Sequence, residues 1–374
     1  MDYTVSMSIK TSYHVKRIRY LDITRGIAMM MVIAGHIIQP EILGQELRYY
    51  LFAVHLPLFL IISGVLFKEK DSWFLIKKDT KQLLYPYVIG VLLIVLVFII
   101  GYYQPFSNSW HHIVTGNLNS VPQILMAAFL VNGGDHYLFW PNFATTIGAI
   151  WYLVAFFEVS FIFNLLLKFI KNRYVQLLLI VGLTAIGYVI GNITALPFQL
   201  LSALVMLPFM AVGYYTKKYW FTNNVGSMKI NISLIALGII LWTYSASHGI
   251  LLLVSAQATQ GPILATIAGI MGSFAMMVAI RYIDSMPLFD CLMDLLVKVG
   301  QVSLYMLVVH TIDLRDLPVS FVAMKLFAHF FHSNVAANYF AFVVGIAFAF
   351  VGGLILQRIM QVILKDNIPI KLCI

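Results

Sequence analysis

Ten runs of predominantly apolar residues, each near the roughly 20 that a helix needs to cross the hydrocarbon core of a bilayer, succeed one another along the chain. They lie at about 21–39, 50–67, 83–103, 145–167, 175–193, 196–215, 230–247, 262–281, 297–312 and 338–363. In lipid every backbone N–H and C=O has to find its partner within the protein, which leaves helices and closed barrels as spanning structures. The runs lack the period-two alternation of barrel strands. An all-α, polytopic membrane protein with about ten transmembrane helices is therefore expected. Composition excludes the alternative of a soluble globule, since only 10% of the 374 residues are charged and 61% are hydrophobic, against about 25% charged in soluble domains.

Lys and Arg accumulate in alternate connections. Of the 24, 20 fall on one side, Arg48, Arg315 and Lys325 on the other, and Arg25 inside the first run. Cytoplasmic connections carry the positive excess, so both termini are expected in the cytoplasm. The net charge of +9 thus reports orientation and gives no reason to expect a nucleic-acid partner. Residues 1–374 read as one integral-membrane domain, with 1–19 as a basic cytoplasmic segment and no further soluble domain. The start reads as a retained first helix, because no small-residue cleavage site follows it. The outer connection 104–142 lacks Lys and Arg and contains Trp110, His111, His112, Asp135, His136 and Trp140. Such side chains suit a sugar-like acceptor, and equally an interfacial aromatic belt with a partly re-entrant loop. Cys291 and Cys373, the two cysteines, have no zinc or redox spacing. No metal and no permanently bound cofactor are expected.

Ionisable side chains within spans are costly and mark sites. Here they are Arg25 and His36 in the first run, His55 in the second, Glu158 in the fourth and His310 in the ninth, with Asp22 and Asp313 at span ends. Arg25 and His36 are eleven positions apart, close to three whole helical turns and about 16 Å along the axis, so they share one face. Arg25 alone reads equally as a residue snorkelling to the basic edge, and His36 as a helix-to-helix hydrogen bond. Three histidines in three spans favour chemistry, since histidine is suited to take a proton from a hydroxyl near neutral pH.

Arg19-Tyr-Leu-Asp22-Ile-Thr-Arg25-Gly26 followed by His36 resembles the opening of the acyltransferase-3 family, whose first span carries an Arg, ten residues and a His. His55-Leu-Pro57-Leu-Phe59-Leu-Ile-Ile-Ser63-Gly64 is similar to the second span of the branch related to fucose 4-O-acetylases. Lys77, Lys78 and Lys81 before Leu84-Tyr85-Pro86 resemble the family's basic segment, and Ser303-Leu304-Tyr305 with His310 its late Ser-Leu…His pattern. The matches run from residue 19 to 310. Two departures stand out: Trp151 precedes Glu158 by seven residues where many members have five, and Tyr305 lies far from His310.

The resemblance implies transfer of an acyl group, usually acetyl, from cytoplasmic acyl-CoA to a hydroxyl of an envelope sugar, polysaccharide or lipid-linked glycan, in a cell membrane that the motifs suggest is bacterial. On this reading Arg25, Lys77, Lys78 and Lys81 meet the donor's phosphates and His36 is the general base, or takes the acyl group transiently. His55, His310 and Glu158 complete the catalytic set in an order the sequence does not give. Ser63 and Ser303 are alternative nucleophiles, though such a serine more often bonds a carbonyl of its own helix. Tyr85, Trp151 and Tyr152 read as packing or interface residues. The competing reading is a transporter or flippase whose buried histidines relay protons. Partners are then the donor, the acceptor and membrane lipid. Oligomeric state stays open, because the Gly352-Gly353 face can pack within one chain or between two.

Overall fold

The computed structural model describes residues 18–38, 40–43, 45–103, 120–134, 146–221, 228–315, 317 and 319–364. Helices dominate. In chain order they begin with α1 (Arg19–Ile37), α2 (Pro40–Leu43), α3 (Gln45–Leu66), α4 (Ser72–Asp79), α5 (Tyr85–Tyr103), α6 (Val121–Leu130) and α7 (Trp151–Phe169). There follow α8 (Arg173–Gly191), α9 (Leu200–Phe221), α10 (Met228–His248), α11 (Pro262–Ile283), α12 (Asp290–Arg315), α13 (Val319–Phe331) and α14 (Asn334–Ile363). A two-stranded antiparallel hairpin, β1 (Leu251–Leu252) and β2 (Gln257–Ala258), is the sheet found among the described residues.

Nine described stretches are long and apolar enough to cross a membrane: Leu47–Leu66, Ser72–Ile100, Gly148–Phe169, Arg173–Gly191, Pro197–Trp220, Lys229–His248, Pro262–Ile283, Pro287–Leu314 and Asn334–Ile363. Each overlaps one expected run. The remaining run is α1, 19 residues long, which Asp22, Arg25 and His36 make too polar to count among the nine. It is packed chiefly against α12 and α3, with α14 and α11 completing its surroundings. The chain is an all-α, multi-pass membrane protein.

Close backbone crossings hold the centre together. A Cβ on Gly26 of α1 would lie 2.3 Å from the Leu296 carbonyl oxygen, and one on Gly300 of α12 would lie 1.9 Å from that of Asp22. The same reciprocity joins α3 to α9, where Gly64 faces the Met210 carbonyl at 2.0 Å and Gly213 the Ile61 carbonyl at 2.1 Å. In lipid, helix adhesion relies on such close packing of small residues. Gly352 and Gly353 likewise pack inside the chain, against Val309 and Met306 of α12.

Three differences from the sequence reading matter. The third run does not begin at 83: helix runs from Ser72 through a π turn at Thr80–Leu84 into α5, so Lys77, Lys78 and Lys81 sit on helix. Pro86 has no N–H to give, and a widened turn before it is one way to accommodate that. The connection 313–337 contains α13, its start fixed by the Ser320 N–H donating to the Asp313 carboxylate at 2.9 Å. The connection 104–142 contains α6, capped by Ser120. Trp110, His111, His112, Asp135, His136 and Trp140 lie outside the described residues.

Candidate functional site

The site is organised by one face of α1. Arg25 is buried and its Nη1 lies 3.1 Å from the Asp22 carboxylate one turn earlier, an i,i+3 pair that shares a helix side. Compensation of this kind is what allows a guanidinium to sit inside a bundle. His36, three turns further along, is exposed into a chamber that it helps to line.

Three adjoining chambers flank α1 and its neighbours. The first is lined by Lys70, Lys78, Asp79 and Gln82 among others. It shares Ser63, Leu83 and Phe156 with the second, which contains Arg25 and Ser303 and is otherwise mostly apolar. The third and largest of them holds His36, Phe52, His55 and Trp151, with Leu251–Val254 of the hairpin region closing one side. Second and third chambers meet at a collar of Val32, Leu56, Tyr152 and Leu307, residues common to both. Arg25 and His36 thus line successive chambers along one helix face.

The three histidines converge at the His36 end. The His310 ring is 5.8 Å from that of His36, and Phe52 lies between His36 at 5.6 Å and His55 at 5.0 Å. His55 Nδ1 is 2.8 Å from the Leu51 carbonyl oxygen. A carbonyl only accepts, so Nδ1 carries the proton and Nε2 is left as an acceptor. His310 has no exposed surface, and neither ring nitrogen has a hydrogen-bond partner among the described residues. Asp313, one turn on, has its second carboxylate oxygen buried without a partner. Arg48, counted in the sequence only as an outer-side charge, has its guanidinium carbon 5.1 Å from the Phe52 ring centroid.

Other expected residues are placed differently. Glu158 lines none of the three chambers, and its Oε2 is buried without a partner among the described residues. Of the lysines, Lys78 lines the first chamber, 3.2 Å from Asp79, whereas Lys77 is exposed with its ammonium 5.0 Å from the Trp73 ring centroid and Lys81 is exposed too. Lys70, which the motif did not single out, lines the chamber with Lys78. Ser63 and Ser303 donate to the Phe59 and Gly300 carbonyls of their own helices, at 2.6 and 2.9 Å. Tyr152 packs in the core as expected and in addition lines both the second and the third chamber, with a buried hydroxyl that has no partner among the described residues. No cluster of three His, Cys, Asp or Glu suited to a metal ion occurs among the described residues.

Outside the spans, Asp71 closes the connection between α3 and α4. Its carboxylate accepts from the Phe74 and Trp73 N–H groups at 3.1 and 3.0 Å. Those bonds, the Phe74 one foremost, and nearby Lys168 hold its pKa below the ordinary carboxylate value.

A family model described as an acyltransferase domain, that of the acyltransferase-3 family, matches residues 18–358, nearly the whole chain. No curated protein and no solved structure gives a significant match.

Proposed function

The chain belongs to the acyltransferase-3 family, and from that premise we propose that this membrane acyltransferase moves an acyl group, acetyl in the first instance, from cytoplasmic acyl-CoA to a hydroxyl of a cell-envelope sugar or polysaccharide. On this reading it sits in the cytoplasmic membrane of a bacterium with both termini inside. The observation that carries the proposal is the shared face of α1, with Arg25 lining one chamber and His36 the next.

The donor enters from the lysine end. Lys70 and Lys78 line the first chamber and are suited to the phosphates of the nucleotide, and Arg25 adds a charge further in. The acyl arm occupies the mostly apolar second chamber and presents its thioester at the collar, one helical turn, about 6 Å, short of His36. The acceptor hydroxyl approaches through the third chamber. His36 removes its proton, His310 and His55 set the orientation and electrostatics of that ring, and the oxygen attacks the thioester carbon. Lys77, Lys81 and Glu158 take supporting parts at most, being outside the chamber walls. Ser63 and Ser303 do not serve as nucleophiles on this reading, because each already donates its proton to a carbonyl of its own helix.

Membranes carrying the protein, incubated with isotope-labelled acetyl-CoA, test this. Mass spectrometry of envelope glycans is expected to find label in ester linkage, lost in His36→Ala at an unchanged level of protein in the membrane. Label that persists in His36→Ala removes the base from the proposal. Uptake of a labelled solute into vesicles without acyl-CoA, with no transfer of label, decides for a transporter instead.

A further inference from the structure

We propose that Tyr152 is a catalytic residue of this transfer, its hydroxyl holding the acyl carbonyl oxygen and stabilising the oxyanion that forms there. The inference rests on the acyltransferase reading and goes beyond it, since the sequence pattern marks Tyr152 only as packing.

The collar between the arginine and histidine chambers is made, among the described residues, of Val32, Leu56, Leu307 and Tyr152, of which Tyr152 alone carries a hydrogen-bond donor side chain. The residue is 7% exposed and its hydroxyl has no partner among the described residues. The ring is fixed by aromatic neighbours, with Trp151, Phe156 and Phe59 at centroid separations of 5.9, 5.8 and 6.4 Å. Phenylalanine would make the same contacts without burying an unpaired hydroxyl, and buried polar groups are rarely left unpaired. An unsatisfied donor on a residue that lines two chambers is suited to a ligand's polar atom. The two serines of the second chamber are spoken for, since Ser63 and Ser303 already give their protons to backbone carbonyls.

Position along α1 sets which atom this is. Val32 is in the collar and His36 follows four residues later, about 6 Å along the axis. A carbonyl at the collar therefore lies within reach of both the Tyr152 donor and an acceptor hydroxyl bound beside His36. The hydroxyl oxygen bonds to the thioester carbon as His36 takes its proton, and the carbonyl π electrons move to oxygen, where Tyr152 stabilises them. The C–O double bond re-forms as the C–S bond breaks, and the departing thiolate collects the proton from the His36 imidazolium. Products are an ester and free CoA thiol, with Tyr152 and His36 restored. Donors aimed where charge develops in a water-excluded site are among the strongest contributors to acyl transfer.

Tyr152→Phe keeps the ring and removes one oxygen. With acetyl-CoA and membranes, kcat is expected to fall about 100-fold, as when one oxyanion donor is removed, while KM for acetyl-CoA stays within about twofold and thermal unfolding in detergent is unchanged or raised. A variant within about threefold of wild-type kcat, or one altered only in KM, overturns the assignment. If His36→Ala is inactive in the same assay, the acyltransferase reading survives that result; a wild-type protein that transfers nothing sinks both. Binding to wild-type protein gives a readout independent of how the variant folds. Acetonyl-CoA, which keeps the carbonyl, is expected to bind about tenfold more tightly than S-ethyl-CoA, which lacks it. Equal affinities overturn the proposal.

Discussion

The rings of His36 and His310 lie 5.8 Å apart, tilted by 43°, on helices from opposite ends of the chain. His36 is open to the largest of the three chambers, whereas His310 is wholly buried with both nitrogens unpaired among the described residues. An unpaired buried polar group costs about 1–3 kcal/mol, and that cost sits directly behind the proposed base. Replacement by an apolar residue removes it. His310→Leu is expected to unfold in detergent at the same temperature as wild type or above it, while acyl transfer drops about 100-fold. A variant that loses stability and keeps its activity shows His310 to be structural.

The crossing of α1 and α12 leaves no room for a methyl group. Gly300→Ala places a Cβ where the Asp22 carbonyl oxygen already lies, at 1.9 Å. Backbone has to move, at a cost of about 1–3 kcal/mol, and the movement displaces the helix that carries Arg25 and His36. Gly182 in α8 has nothing within 4 Å of its Cβ position, so Gly182→Ala gains helix propensity of about 1 kcal/mol. Thermal unfolding and acyl transfer measured side by side are expected to fall for the first variant and hold or rise in stability for the second.

Two pairs of lysines separate by position and not by proximity in sequence. Lys70 and Lys78 line the first chamber, whereas Lys77 and Lys81 are exposed and outside its wall. Exposed charges are screened and contribute little individually. Lys70→Ala and Lys78→Ala are each expected to raise KM for acetyl-CoA about tenfold, and Lys77→Ala and Lys81→Ala to change it by less than about twofold. Steady-state kinetics in membranes decides, and equal effects at all four positions point to a diffuse surface field.

The Asp71 cap gives a pH dependence of definite sign. Its pKa is depressed in the folded protein, chiefly by the Phe74 N–H, so the ionised form is the one that stabilises α4. That stabilisation is complete above the ordinary carboxylate pKa and is lost as pH falls through the lower folded value. Hydrogen exchange at α4 amides is expected to accelerate in Asp71→Ala at neutral pH. The wild-type protein at strongly acidic pH approaches the same rate, and Asp71→Asn, still a good cap, stays protected throughout. Equal protection in Asp71→Ala and wild type shows that the cap adds nothing.

Nine of the ten expected spans were legible in length and apolarity because the bilayer imposes both on every crossing, and neither depends on which helices touch. The Arg25 to His36 spacing was legible for a related reason: the helix repeat alone puts both on one side. What sequence left unread depends on contacts between distant segments. Tyr152 looks like any interfacial aromatic until it is seen to line two chambers with its hydroxyl unpaired among the described residues. Lys70 is indistinguishable by type from Lys77, and only the fold of α4 against α7 separates a wall residue from a surface one. Glu158 presents the opposite case, an intramembrane carboxylate that reads as a site residue yet borders none of the three chambers. α13 escaped because its 13 residues fall short of a bilayer crossing, the length by which the helices were recognised, and the hairpin because strands of two residues carry no periodic pattern.

The collar of Val32, Leu56, Tyr152 and Leu307 also bears on what the membrane can afford to lose. Constrictions lined by hydrocarbon dewet, and a break in the water file stops ions and protons alike. Basic residues on one side and an open imidazole on the other would form a ready proton wire if water joined them. Three of the four collar residues present hydrocarbon alone, so Leu56→Ala or Leu307→Ala, each of which widens the ring, is expected to make vesicles carrying the protein leak protons faster than vesicles carrying the wild type.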